Sequence, residues 1–344
     1  MQDVELGIAV ASRSGLAAQE IAAAAAAAEE AGLAAFAVAE RVADGLALAQ
    51  AAVAATERIE IGTAIVNARL RHPALAAMTA TTLHELSGGR FVLGLGVANP
   101  ALNEGALGLD PVDPVGFVRE YVAVLRAVLA GAGDAGGGSA VPRVRGLVLD
   151  RPAVAAPPVH LAALQPRMLR LAGEIADGVL LNLVTPASVD AALQRVTEGL
   201  RAAGRDRGDL RVTCLVPCCL GSGADADATG RELVVGYALH PAATRLFAAT
   251  GHGERIDEIA RLLRAGDRAG ALAAVDQRIV DDFLLHGDTT ELTDRLGRYA
   301  AAGVDRVLLF PIAGATDPAG WAAAVERTIA AASAALDERK ERAR

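Results

Sequence analysis

Eight short apolar runs, each followed by a stretch with helical spacing, predict an α/β fold: a (β/α)8 TIM barrel with a helical insertion between strands 7 and 8. Two further observations favour that barrel over an open, doubly wound sheet. The turn after the first run, residues 11–15, lacks the G-x-G-x-x-G pattern of a dinucleotide-binding sheet. A chain of 344 residues also accommodates one barrel plus an insertion as a single domain, 1–344.

The strand runs cover 5–10, 34–39, 59–66, 90–97, 159–163, 178–181, 211–219 and 305–310. Helical patterns cover 17–31, 45–57, 74–86, 114–130, 166–176, 186–203, 289–302 and 318–336. Pro166 suits the first turn of a helix, where its missing N–H costs nothing. Asp288 with Glu291 reads as a capping pair, and Arg170 with Glu174, four apart, reads as an ion pair on a solvated face. Residues 131–142, rich in glycine and following a helix, read as a flexible surface linker. Residues 220–287 are too long for a plain connection and mostly helical in pattern. Such insertions at a barrel's C-terminal face form substrate lids, so His240, His252, His286, Tyr237 and Phe247 are candidate substrate contacts. Residues 337–344 form a charged tail.

Composition excludes several functions. A net charge of -8 with 32 arginines and one lysine, Lys340, gives no basic face for nucleic acid. The alanine-rich run after the first strand is broken by Glu20, Glu29 and Glu30, so neither a membrane span nor a signal peptide is expected. Cys214, Cys218 and Cys219 share one apolar run with no second cluster, which suggests buried strand thiols in a cytoplasmic protein and no zinc site. Lys340 lies in the charged tail, which removes Schiff-base chemistry at a strand end. The six histidines show no metal-ligand spacing, and there is no G-x-S-x-G elbow. A barrel so poor in reactive side chains points to a bound cofactor that carries the chemistry.

The four asparagines, Asn67, Asn99, Asn103 and Asn182, all fall at or just past strand ends, on the face where barrels bind ligands. Either their amides serve a polar pocket or they fill turn positions. Gly94 and Gly96 on strand four leave room for a flat ring or for close packing. The segment Ala162, Ala163, Leu164 and Gln165 leads into the helix at Pro166, whose free N–H groups suit an anion, with Arg167 in reach to reinforce it.

Three segments carry a family resemblance: His84-Glu85-Leu86-Ser87-Gly88-Gly89-Arg90-Phe91-Val92-Leu93-Gly94-Leu95-Gly96, Ala162-Ala163-Leu164-Gln165-Pro166-Arg167-Met168-Leu169-Arg170-Leu171-Ala172-Gly173, and Ala176-Asp177-Gly178-Val179-Leu180-Leu181-Asn182. In this order they resemble the bacterial luciferase-like superfamily, and within it the branch using the deazaflavin coenzyme F420, of the methylenetetrahydromethanopterin reductase type. The resemblance implies a dimeric barrel that binds F420 at its C-terminal mouth and transfers a hydride to or from a small organic substrate. It implies a bulge at the end of strand three with a non-proline cis peptide, at Ala64–Ile65, behind the ring, with Asn67 after it. It also implies ring or side-chain contacts from 101–104, beside Gly96, Asn99 and Asn103, and a phosphate loop at 162–165, next to Met168. Asn182 completes the expected set. Two positions depart from the family pattern: Gln165 replaces a glycine, and Glu40-Arg41 replaces Asp-His at the end of strand two. Glu40, with Arg41, is therefore the candidate acid/base, with a salt bridge or helix cap as its alternative role. An FMN-dependent monooxygenase and a non-catalytic ligand-binding barrel are the alternative functions.

Overall fold

The computed structural model describes residues 4–138, 140–150, 155–220, 225–313 and 318–342, so part of the insertion's start (221–224) and of the tail (343–344) lies outside the described residues. Eight parallel strands close a barrel: β1 (Glu5–Ala11), β2 (Ala35–Ala39), β3 (Glu60–Thr63), β4 (Phe91–Gly96), β5 (Val159–Ala162), β6 (Gly178–Asn182), β7 (Arg211–Leu220) and β8 (Arg306–Pro311). Each pairs with the next, and β8 returns to β1 in register from Glu5↔Arg306 to Ile8↔Leu309.

Alternation along the strands sets the layers. Ile8, Phe36, Ile61, Leu93, Val179 and Leu309 face outward into the large core against the helices. Ala9, Ala35, Ala37, Ala64, Leu180, Leu215 and Leu308 fill the barrel interior. The helices around it are α1 (Ala18–Glu30), α2 (Gly45–Ala54), α3 (Pro73–Leu86), α4 (Pro114–Leu129), α5 (Pro166–Ile175) and α6 (Val189–Ala202). After β7 come the insertion helices α7 (Asp225–Tyr237), α8 (Pro241–Ala249), α9 (Gly253–Arg264), α10 (Arg268–Ala273) and α11 (Gln277–Phe283). Then follow α12 (Thr289–Ala301), leading into β8, and the closing α13 (Pro318–Arg342). Pro166 sits in the first turn of α5, Asp288 accepts the Thr290 and Glu291 amides to cap α12, and Arg170 meets Glu174 at 3.1 Å.

The insertion has its own apolar core, which includes Val234, Phe247, Ile256, Ile279 and Phe283 and reaches the barrel through Leu183, Cys219 and Ile312. The three cysteines are buried and free. Burial pushes the Cys218 thiol up to about 12, so it stays protonated and inert.

Two expectations need correction. The expected linker at 131–142 takes part in a short antiparallel ladder, Asp134–Ala135 with Val144–Arg145. The expected strand 59–66 is broken: β3 ends at Thr63, and a two-residue strand, Val66–Asn67, pairs separately with β4. Between the pairs Gly62↔Val92 and Val66↔Leu95, four steps along β3 oppose three along β4, which is a bulge of one residue.

The N-terminal end of the barrel is closed by charge. Arg306, almost fully buried, meets Glu5 at 2.7 Å and also pairs with Glu60, which Arg211 contacts at 3.0 Å. His160 lies buried above this group, and burial lowers its pKa to about 4. A Cβ on Gly178 would stand 2.5 Å from the His160 ring, so only glycine fits there.

Candidate active site

At the C-terminal end the barrel stays open. The inward-facing side chains of Ile65, Ala162, Asn182 and Phe310 are only half-buried, above a floor of Ala9, Ala37, Ala64 and Leu215. Inward positions of a closed barrel are normally packed by side-chain layers, so exposure there marks a mouth.

The bulge forms one wall of the mouth, and the peptide Ala64–Ile65 is cis. The two glycines of β4 serve this bulge. A Cβ on Gly94 would fall 1.8 Å from the Thr63 carbonyl oxygen, and one on Gly96 would fall 2.7 Å from Ile65 Cδ1. Thr63 locks the approach: its hydroxyl donates to the Gly94 carbonyl at 2.9 Å and accepts the Gly94 amide at 3.0 Å. Both glycines are needed for this close packing of β4 against the bulge.

Glu40, at the end of β2, grips the bulge from the other side. Its amide donates to the Ile65 carbonyl at 3.0 Å, and its Oε1 accepts the Asn67 amide at 3.0 Å. Oε2 accepts the Gly45 amide at 2.8 Å, and Arg71 donates to both oxygens, at 2.8 and 2.6 Å. Arg71 also reaches Asp44 at 2.6 Å. Burial works to raise the Asp44 pKa, but the Arg71 charge and hydrogen bonds outweigh it and hold the carboxyl low. Arg41 is exposed, and its amide, with those of Val42 and Ala43, donates to the Ser12 hydroxyl.

The asparagines divide. Asn67 donates to Asn103 Oδ1 at 2.8 Å and accepts the Arg69 amide, while Asn103 donates to the Val97 carbonyl at 2.5 Å. Asn103 belongs to a π-helical turn, Ala101–Ala106, of the kind often found at functional sites. Asn99 caps that turn by accepting the Leu102 amide. Three of the four amides therefore build the rim. Asn182 differs: its Nδ2 lies 3.5 Å from the Tyr237 hydroxyl, and its Oδ1 is buried without a partner. Backbone strain also gathers at the rim, in the left-handed Ala98 (φ 50°) and Leu183 (φ 56°).

On the side of β5, Ala162, Ala163, Leu164 and Gln165 lead into α5, whose start has no side-chain cap. Its first-turn amides have no intrahelical acceptors and carry the positive end of the helix dipole. Met168 is buried in that turn. Arg167, expected to reinforce the anion site, instead turns to Asp113 at 3.2 and 3.3 Å. Gln165 ties the loop to the insertion, accepting from Arg245 at 2.8 Å and donating to the Ala242 carbonyl at 3.4 Å.

Of the insertion residues singled out as substrate contacts, Tyr237 and His240 flank the mouth, with ring centroids 6.4 Å apart. Partial burial lowers the His240 pKa, which favours its neutral form. Phe247 packs on Phe283 inside the insertion's core, His252 is buried against Asp282 at 2.7 Å, and His286 pairs with Asp281 at 2.9 Å. Arg71 and Ser12 carried no sequence signal, one being among 32 arginines and the other an ordinary turn serine. Among the described residues, no three His, Cys, Asp or Glu side chains gather as a metal-binding group, and no helix is long and apolar enough to cross a membrane.

The family model for luciferase-like monooxygenase matches residues 5–306. A 5,10-methylenetetrahydromethanopterin reductase of Methanopyrus kandleri is 28% identical over 259 residues, which is 71% of this chain and 74% of the relative. The solved coenzyme F420 dependent tetrahydromethanopterin reductase from Methanopyrus kandleri superposes with a TM-score of 0.80 at 25% identity, covering 95% of this chain and 97% of that one. An F420-dependent secondary alcohol dehydrogenase, solved with an F420-acetone adduct, shares the fold with a TM-score of 0.73 at 18% identity, covering 97% and 99% of the two chains.

Proposed function

The chain belongs to the luciferase-like monooxygenase family, and from its likeness to F420-dependent members of that fold we propose that it is a coenzyme F420-dependent oxidoreductase acting on a small organic substrate. The observation that carries this reading is the open mouth beside the bulge at Ala64–Ile65, where inward residues stay half-exposed. The residues fit a flat ring with an anionic tail. The bulge and Gly96 would back the ring, with the rim of Asn67, Asn99 and Asn103 beside it. The amides of Ala162 to Gln165 and the uncapped start of α5, with Met168 beneath, would receive a phosphate without a charged side chain. Asn182 has an unsatisfied Oδ1 to offer a donor on cofactor or substrate.

When bound, the deazaflavin supplies two-electron hydride chemistry. The chain's own part is orientation and exclusion of water. The Ala9, Ala37, Ala64 and Leu215 floor is apolar, so it neither hydrates the reacting face nor competes for it. Asn182, Tyr237 and the near-neutral His240 form an uncharged polar wall on the insertion side. That wall suits a neutral substrate bearing a hydroxyl or carbonyl.

Titration of the purified protein with F420, followed by the coenzyme's fluorescence, tests the reading against FMN. Saturable binding of F420 with none of FMN is the expected result. The family's description also names monooxygenases, and binding of FMN alone would move the assignment there. We also propose that the chain is a homodimer, because α3 presents Leu75, Met78 and Leu86 as an exposed apolar stripe at helical spacing. A monomer mass in light scattering would reject it.

A further inference from the structure

We propose that Arg71 is a positioning residue for the cofactor site, acting through Glu40, which clamps the bulge at two points. The proposal rests on the functional reading above, in which the bulge backs the ring.

The two points of the clamp lie on either side of residue 66. The Glu40 amide holds the Ile65 carbonyl, and its carboxylate holds the Asn67 amide, the second after the cis peptide. Val66 and Asn67 have only a two-residue pairing with β4, so the bulge depends on these contacts for its place. The carboxylate is aimed by a planar fork, because Arg71 meets both oxygens in one bidentate contact. Glu40 and Arg71 side chains are only 6% and 11% exposed, so water cannot replace either partner. Close approach is built in at Gly45, where a Cβ would stand 3.0 Å from both Glu40 Cβ and Val66 Cγ1.

The clamp continues along the rim to the end of β4. Asn67, once its amide is fixed, donates to Asn103, and Asn103 donates to the Val97 carbonyl at the end of β4. One line of hydrogen bonds thus joins Arg71, Glu40, Asn67 and Asn103 of the π-helical turn. Glu40 accepts four hydrogen bonds, which fills the acceptor positions of a carboxylate and leaves none facing a substrate. The geometry therefore gives Glu40 the positioning role and takes from it the proton-transfer role expected from its place on β2.

The experiment compares wild-type protein with Arg71→Met, Arg71→Lys, Glu40→Gln and the Arg71→Met/Glu40→Gln double variant. F420 affinity, the urea midpoint and amide hydrogen exchange of residues 60–70 without ligand are measured for each. A rise in Kd of roughly tenfold, equivalent to about 1.4 kcal/mol, is expected for Arg71→Met. Lysine, lacking the fork, restores only part of it. The double variant should bind no worse than the weaker single one, because both changes release the same clamp. Faster exchange at 60–70 in the unliganded Arg71 variants is a readout independent of the cofactor. A folded Arg71→Met protein with wild-type affinity and exchange overturns the proposal, as do additive losses in the double variant. Wild-type protein that fails to bind F420 overturns the functional reading instead, and the exchange measurement still decides whether Arg71 holds the bulge.

Discussion

The two ends of the barrel use the same chemistry for opposite purposes. Both bury an arginine between carboxylates: Arg306 between Glu5 and Glu60 at the N-terminal end, and Arg71 between Glu40 and Asp44 at the mouth. At the N-terminal end the ion pairs point into the barrel axis and fill it. At the mouth they lie outside the axis and hold the strand ends apart from it. An ion pair on the axis stabilises the closed barrel, whereas one on the rim shapes a cavity without occupying it.

That contrast can be broken by substitution. The largest effect is expected at the closed end. Arg306→Met removes the buried partner of Glu5 and Glu60, but both carboxylates keep some solvent and Glu60 keeps Arg211, so stability should fall by about 1–3 kcal/mol. Urea unfolding followed by circular dichroism measures it, and F420 affinity of the folded fraction should stay near wild type. A loss of affinity as large as that of Arg71→Met would show that the two ends are not separate.

A comparable effect sharpens the same point through pH. The folded protein keeps His160 neutral down to about 4, whereas the ordinary histidine value is 6.5. Below 6.5 the unfolded chain takes up a proton that the folded one refuses. The stability contributed by the neutral ring is therefore complete above that pH and drains away as pH falls towards 4, by about 3 kcal/mol in all. Urea midpoints across this range should fall more steeply for wild type than for His160→Gln. Equal slopes would remove His160 from the account.

Much of the barrel was legible because its signals are local. Strands such as 178–181 and 305–310 alternate residues for two different cores, and the helices between them carry caps such as Asp288. The break in strand three was not legible from its apolar run, since Gly62 to Val66 reads as continuous strand; only the family resemblance placed it. The asparagines show why the site was read less well than the fold. Their positions at strand ends were visible, but Asn67 and Asn103 satisfy each other across 36 residues of sequence, a pairing that no local pattern encodes. Arg71 was invisible for the same reason: what matters is the carboxylate it meets, 31 positions away.

The helices α7 to α11 have a core of their own that touches the barrel through Leu183, Cys219 and Ile312. A cap whose core is separate from that of the barrel can vary in sequence with less disturbance to the strands beneath it. Such a division of labour lets one inherited chassis acquire new chemical appetites by rewriting its roof.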